Sequence, residues 1–421
     1  MIFNKYNIKK IIVGVVLVFI SVRVYAQNKQ SMSWNQCLEL ATSNNTSIKV
    51  SNHSYNSANY TLKASYLKLL PDLDLDASYQ KTDLDQFYSW GYKAELRLPN
   101  MTNYYLIRSS KSKLTSSDIN KRLTYINTIK EIKETFINLG FIHKEIELYE
   151  KIIKRSLANK KLSENRYQSG RDARWTFLQS SLVYEQNLQE YDKIKKELVI
   201  QNEKLINLIY PVDNHPTSII YPDLSTIEEK VTDKTQVLNK ISQHPQVLLS
   251  KSNLEQKEIS YHEDLSDFLP DLSVFATYSR HKTHSITDDE DRWNKTWSVG
   301  VTATFKILSS FETYARSSAS YETLASSKLT HQQTIEDLKV SIEDAYTKYQ
   351  NSIDQLKISE MNLDVSRSRA STRQKEYEIG LSDYTDWSNS QDQLSSSERS
   401  LLNAQKNKLI ALINLNQVIG E

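Results

Sequence analysis

Glycine and proline are scarce in this chain, whose 421 residues hold only 7 of each where average usage is about 7% and 5%. Compact domains spend those residues on turns, so their scarcity predicts long, uninterrupted elements. From Val301 to Ile379 neither occurs; even about 65 helical residues there would span on the order of 100 Å at ~1.5 Å per residue. Cysteine is nearly absent. A lone Cys37 excludes an intrachain disulfide, and no Leu-x-Gly/Ala lipid-attachment signal precedes it. With 4 Met there is no methionine-rich site for a soft metal. Neither sign of charge dominates, 53 Lys and Arg facing 51 Asp and Glu, so a nucleic-acid partner, which needs a concentrated basic face, is not expected. Gly-rich phosphate loops, Cys/His zinc spacings and nucleophile elbows are missing too, which leaves no catalytic set, no metal site and no cofactor to expect.

No apolar run reaches the roughly 20 residues of a membrane-spanning helix. The longest, Ile11 to Ile20, follows Lys5, Lys9 and Lys10 and precedes Val24-Tyr25-Ala26. A charged start, a short apolar core and a small-residue exit predict a signal peptide over 1–26. Removing its Lys5, Lys9, Lys10 and Arg23 turns the balance of +2 into −2.

What is present is a duplication. "LLPDLDLDASYQ" at 69–80 returns as "FLPDLSVFATYS" at 268–279. The same offset of 199 lays Asn45-Thr46 on His244-Pro245, and Pro71 on Pro270. An offset of 209 pairs Gly91 with Gly300, and one of 210 pairs "RYQSG" (166–170) with "EYEIG" (376–380). Internal repeats define the fold before anything else does. The chain reads as two copies of one unit, 27–210 and 236–421, joined by a proline-bearing linker or equatorial segment at 211–235.

Inside each copy the period changes. Leu73, Leu75, Ala77 and Tyr79 alternate with Asp72, Asp74, Asp76 and Ser78; Tyr88, Trp90, Tyr92, Ala94, Leu96 and Leu98 alternate with Ser89, Gly91, Lys93, Glu95 and Arg97. Period two predicts strands with one apolar face, at about 72–82 and 88–98, and in the second copy at about 271–281 and 296–307, where Phe275 breaks the polar face. Elsewhere the period is helical. Ile129, Ile132, Phe136, Leu139, His143 and Ile146 form one coiled-coil seam, and Ile335, Leu338, Ile342, Ala345, Tyr349, Ile353 and Leu356 another. His143 on such a seam is expected to be a packing residue and not a ligand.

Two short hairpins on very long helices have no chain left to cover their apolar faces, and an isolated hairpin is marginal in water. Lipid covers such a face. Strands of about 10 residues, apolar on one side, with aromatic residues at the ends, are the signature of a transmembrane β-barrel; Tyr79, Phe87, Tyr88, Trp90, Tyr92, Tyr278, Trp293 and Trp297 supply the aromatic girdle, and Asp72, Asp74 and Asp76 face a lumen. Four strands cannot close a barrel, and an open edge in lipid costs several kcal/mol per unpaired group, so several copies must share one. The competing readings are a secreted coiled-coil structural or interaction protein without a channel, and an exported enzyme with an unrecognised site; no catalytic constellation supports the latter.

A leader, then twice over helix, Leu-Pro-Asp-Leu, hairpin, long helix, Tyr-x-x-Gly and return helix: this order resembles the TolC-like outer-membrane efflux proteins, along essentially the whole mature chain. The resemblance implies a mainly α fold with transmembrane β structure, in which long coiled-coil hairpins form an α-barrel and a homotrimer builds one 12-stranded β-barrel in outer-membrane lipid. It implies a large periplasmic part and a channel without enzymatic activity, an exit duct for efflux or type I secretion. Its partners would be a periplasmic adaptor (a membrane fusion protein) and an inner-membrane pump of RND or ABC type. It further implies a periplasmic aperture at the helix turns after Gly170 and Gly380. The acidic ring of the aperture falls on Asp386 and Asn389, so an amide replaces one acid. The gating tyrosine falls on Tyr377, its acidic partner on Thr176 and the usual arginine on Ser382, which leaves Asp383, Arg171 or Arg174 to hold the closed state by other contacts. Pro71 and Pro270 mark the helix-to-strand junctions. His281-x-x-His284 with the acids at 288–291 is expected to be a solvated loop at the second hairpin tip.

Overall fold

A computed structural model describes residues 31–82, 85–98, 101–210, 218–227, 233–285, 293–305 and 310–420. The expected leader lies outside them. Eight helices and six strands follow in order: β1 (Ser31–Met32), α1 (Trp34–Asn44), α2 (Thr46–Leu67), β2 (Asp72–Lys81), β3 (Asp85–Arg97), α3 (Met101–Gln168), α4 (Arg174–Ile209), β4 (Tyr221–Pro222), α5 (Lys234–Asn239), α6 (Pro245–Ser266), β5 (Asp271–Ser285), β6 (Trp293–Thr304), α7 (Ser310–Ile379) and α8 (Tyr384–Val418).

Corresponding helices have nearly equal lengths. α3 and α7 run 68 and 70 residues, α4 and α8 run 36 and 35, and α2 and α6 run 22 each. At ~1.5 Å per residue α3 and α7 each reach roughly 100 Å. The aligned residues Asn45 and His244 do the same local job. Asn45 accepts from the backbone N–H groups of Ser47 and Ile48 at 2.9 and 3.2 Å, and His244 Nδ1 accepts from that of Gln246 at 3.2 Å; each satisfies donors that the first helical turn leaves orphaned.

The long hairpins pack through unlike interiors. Around the middle of α3, Ile132, Phe136, Ile137 and Leu139 are fully buried together with Cys37, Ala41, Leu205, Ile206 and Ile209. The segment joining the repeats helps seal this core and is more than a connection. β4 pairs in parallel with β1, Ile220 is buried, and its N–H donates to Asn202 Oδ1 at 2.8 Å. His143 stacks on Tyr221 with centroids 4.5 Å apart and lies 3.0 Å from the Ile220 carbonyl, a packing residue. Burial pushes the Cys37 thiol up to about 12, so it is an inert core group. Midway between α7 and α8 small polar contacts join in, as where Ser366 meets Ser397 at 2.8 Å beside Ala370 and Leu394. The second seam is buried from Leu338 to Tyr349 and ends there: Ile353 is 41% exposed.

Both hairpins join one antiparallel sheet in the order β2-β3-β5-β6. Residues directly across a ladder share a face, so the register assembles rows. Leu73, Ala94, Ala276 and Val299 form one, Leu75, Tyr92, Tyr278 and Trp297 the next, Ala77, Trp90, Arg280 and Lys295 the third. β3 and β5 extend beyond the expected strands, to Asp85 and Ser285, because they pair with each other there; a ladder partner sets a strand's end, which alternation alone does not reveal. Phe87 corrects the expected girdle. It lies on the polar face with His281, ring centroids 6.1 Å apart. Phe275 lies opposite Gly300, where an added Cβ would come within 2.7 Å of its ring; the missing side chain of Gly300 makes room for the aromatic that interrupts the polar face.

Candidate functional site

The two sharp turns of the helical hairpins lie side by side, and each is built by a glycine. Gly170 and Gly380 have φ of +70° and +88°, the left-handed region that costs side-chain-bearing residues energy. The next N–H reaches back to close the helix: Arg171 to the Arg166 carbonyl at 2.9 Å, Leu381 to that of Glu376 at 2.7 Å. These are Schellman closures. On the far side Asp383 caps α8 by accepting from the Asp386 N–H at 2.7 Å.

The first turn folds Arg166 onto Asp172. Their side chains, 12% and 10% exposed, pair through Nε to Oδ2 at 3.0 Å and Nη2 to Oδ1 at 3.2 Å, a bidentate, charge-assisted contact. The same guanidinium crosses to the second turn. Nη1 donates to the Tyr377 carbonyl at 2.7 Å, and the charge lies 4.3 Å from the Tyr377 ring centroid. The Tyr377 hydroxyl donates to Asp172. Burial, reinforced by that bond to a carboxylate, raises the Tyr377 phenol above its ordinary range, so it remains a donor. The bond to Asp172 likewise raises Arg166.

Tyr377 has no exposed surface and stacks on Trp387 at 4.3 Å with the rings 10° apart. Trp387 Nε1 donates to Gln374 at 2.5 Å, and Tyr384 meets Trp387, Tyr377 and Trp175 edge-on. The result is an aromatic plug with a buried ion pair bridging two turns, Asp172 and Tyr377 being 205 residues apart in sequence.

The expected positions divide into two groups. Tyr377 is at the centre, but its acidic partner is Asp172 and not Thr176. The Thr176 hydroxyl is buried and donates to the Ala173 carbonyl at 2.7 Å, a local helix-start contact. Ser382 is buried, its hydroxyl 3.4 Å from the Asp383 carbonyl; the arginine of the cluster comes from the first turn, as Arg166. Asp386 and Asn389 are exposed one helical turn apart on α8, and Arg171 and Arg174 are exposed as well. Arg166 and Asp172 escaped the sequence reading although they flank Gly170; a Schellman turn brings positions six apart into contact, so the glycine itself carried the signal.

Pro71 and Pro270 lie between helix and strand. After α2 and α6, N–H groups of Leu70 and Leu269 bond the carbonyls of Leu67 and Ser266, three residues back, and the strands start at Asp72 and Asp271. Proline disfavours helix in the residue before it. No cluster of metal-ligating side chains occurs among the described residues; the side chain of His284 and residues 286–292 lie outside them. No helix among them is long and apolar enough to cross a membrane.

A sheet with one bare apolar face, prolonged by helical hairpins of this length, defines a channel-forming subunit. Residues 37–209 and 239–421 both match the outer membrane efflux protein family, and the chain belongs to that family. Its members are outer-membrane channels with large periplasmic helical parts, and not enzymes. No curated protein matches by sequence. Among solved structures the chain is similar to a membrane protein from Pseudomonas aeruginosa (15% identity, TM-score 0.78, covering 92% of this chain and 90% of that one). It is also similar to the outer membrane protein VceC from Vibrio cholerae (14%, 0.77, 92% and 96%). The CmeC channel of Campylobacter jejuni compares at 16% and 0.76, over 92% and 85%. At such identities the likeness concerns the fold.

Proposed function

We propose that the chain is the exit duct of a tripartite efflux or type I secretion system, a passive conduit for substrates delivered by an inner-membrane transporter of RND or ABC type through a periplasmic adaptor. The observation that carries this reading is the four-stranded sheet, whose outer strands β2 and β6 each pair on one side only. Lipid does not tolerate such edges. Three copies, β6 of one against β2 of the next, close a barrel of about 12 strands, with Asp72, Asp74 and Asp76 lining the pore. The chain's turns hold a clasp, Arg166 and Asp172 on one loop and Tyr377 on the other, which keeps neighbouring hairpins together. Opening means parting them. Three copies of exposed Asp386, with Asn389 one turn further on, make a partly acidic constriction that attracts cations.

Single-channel recording of the purified trimer in planar bilayers tests this. Asp172→Asn, which removes the charge shared by Arg166 and Tyr377, is expected to raise the resting conductance several-fold, while Asp386→Asn lowers cation preference and divalent block without opening the pore. A protein that forms no channel, or recovery in the soluble periplasmic fraction, would sink the reading in favour of a secreted coiled-coil protein.

A further inference from the structure

The lipid-facing side of the sheet does not stay apolar to its end. Beyond the rows of Leu, Val, Ala and Tyr it carries Lys81 on β2, Arg280 and Lys282 on β5 and Lys295 on β6, with Arg280 directly across the ladder from Lys295. Tyr79, Tyr88, Trp90 and Trp293 belong to the same rows; Tyr79 and Tyr88 are in ring contact at 4.9 Å, and Trp293 is 46% exposed. Arg280 and Lys295 are like charges directly opposite each other, which destabilises a sheet, and no carboxylate among the described residues shares their face. Asp72, Asp74, Asp76, Glu95 and Asp271 all point to the other one. The Arg280 Nε–H is covered and meets no hydrogen-bond acceptor among the described residues.

The height of this band is set by the strands. Pro71 and Pro270 place the helices at one end, so the opposite end, where the hairpins turn, is the extracellular one in an outer-membrane channel. From Leu272 to Arg280 the strand rises about 27 Å at ~3.4 Å per residue, or about 20 Å along the membrane normal at a tilt of ~40°, and Lys282 is one row higher; an apolar band is ~25 Å tall. The four cations therefore sit at the outer edge of the hydrocarbon, their stems in the apolar layer and their heads at the headgroup level.

We propose that this band binds the phosphorylated glycolipid of the outer leaflet, lipopolysaccharide. Arg280 offers a planar fork to a lipid A phosphate, and Lys81 and Lys295 supply point charges around it. The aromatic rings pack on the sugar and upper acyl chain. The trimer presents the band three times. This inference rests on family membership and on the sheet, and not on which pump or adaptor the channel serves.

The test uses the full-length protein in detergent, titrated with lipopolysaccharide and followed by native mass spectrometry. Retained lipopolysaccharide is expected, with apparent affinity reduced at least tenfold when the lipid A phosphates are removed enzymatically, and reduced to the same extent in the Lys81→Gln, Arg280→Gln, Lys295→Gln variant. Should that variant fail to assemble, Arg280→Gln with Lys295→Gln alone is expected to lose binding several-fold, and the phosphatase comparison needs no variant. Equal binding of dephosphorylated lipid, or unchanged binding by the double variant, overturns the proposal. So does full competition by millimolar inorganic phosphate, which would make this a free-anion site and not a lipid site.

Discussion

In the helical body Phe136, Ile137 and Leu139 have no exposed surface, whereas in the sheet Leu73, Trp297 and Val301 keep 74%, 75% and 70% of theirs. Both regions obey the same pattern of apolar residues on one side. They differ in what covers that side. α3 meets α1, α4 and the segment around Ile220, so the chain encloses its own core; among the described residues no element covers the apolar face of the sheet. The comparison teaches that an apolar face is an instruction to find a partner, and that the partner of this sheet is lipid.

Four substitutions sharpen the contrast. Phe136→Ala is expected to destabilise the helical body by about 3–5 kcal/mol, the usual cost of emptying a packed aromatic site, measured by denaturant unfolding of helical circular dichroism; Leu73→Ala, in the bare face, should move the same midpoint by less than about 1 kcal/mol. An effect of Leu73→Ala as large as that of Phe136→Ala would mean that the sheet face is internally packed after all. Val299→Arg, mid-face on β6, should cost about 2–4 kcal/mol of membrane stability, read as loss of assembled channel from the outer-membrane fraction, while Thr296→Arg on the polar face leaves assembly intact.

The smallest effect concerns the two caps. Burial lowers the pKa of His244, so the folded state holds the neutral ring whose Nδ1 caps α6, and it binds fewer protons than the unfolded chain does. Its contribution is therefore complete above pH ~6.5, the ordinary histidine value, and declines as pH falls below that toward the lowered folded value. Amide exchange near Val247 should quicken on acidification by an amount worth up to ~1 kcal/mol. His244→Asn, which copies Asn45, should abolish the pH dependence; if it persists, another group is titrating.

Much of this was legible in the residues. Period two and the repeated Leu-Pro-Asp-Leu marked the strands and their entrances, and Gly170 and Gly380 marked the turns, because alternation, proline geometry and positive φ are local properties. The clasp was half legible. The resemblance brings Tyr377 to the tip and places Thr176 and Ser382 where an acid and an arginine are usual, and both make local contacts; Arg166 and Asp172 reach Tyr377 only because two distant turns lie side by side. Phe87 alternates with Ser89 and Lys93 and so belongs to the polar face, although its ring suits a girdle.

By itself the sequence determined which segments are helix, which are strand, where each turns and which side of each is apolar, since those follow from periodicity and backbone stereochemistry. Only the tertiary structure decided that the two hairpins join edge to edge through β3 and β5, that Arg166 pairs with Asp172, and that Arg280 stands across from Lys295 among the lipid-facing rows. Register and side-by-side packing depend on residues far apart in the chain, and no local rule reports which of them will meet.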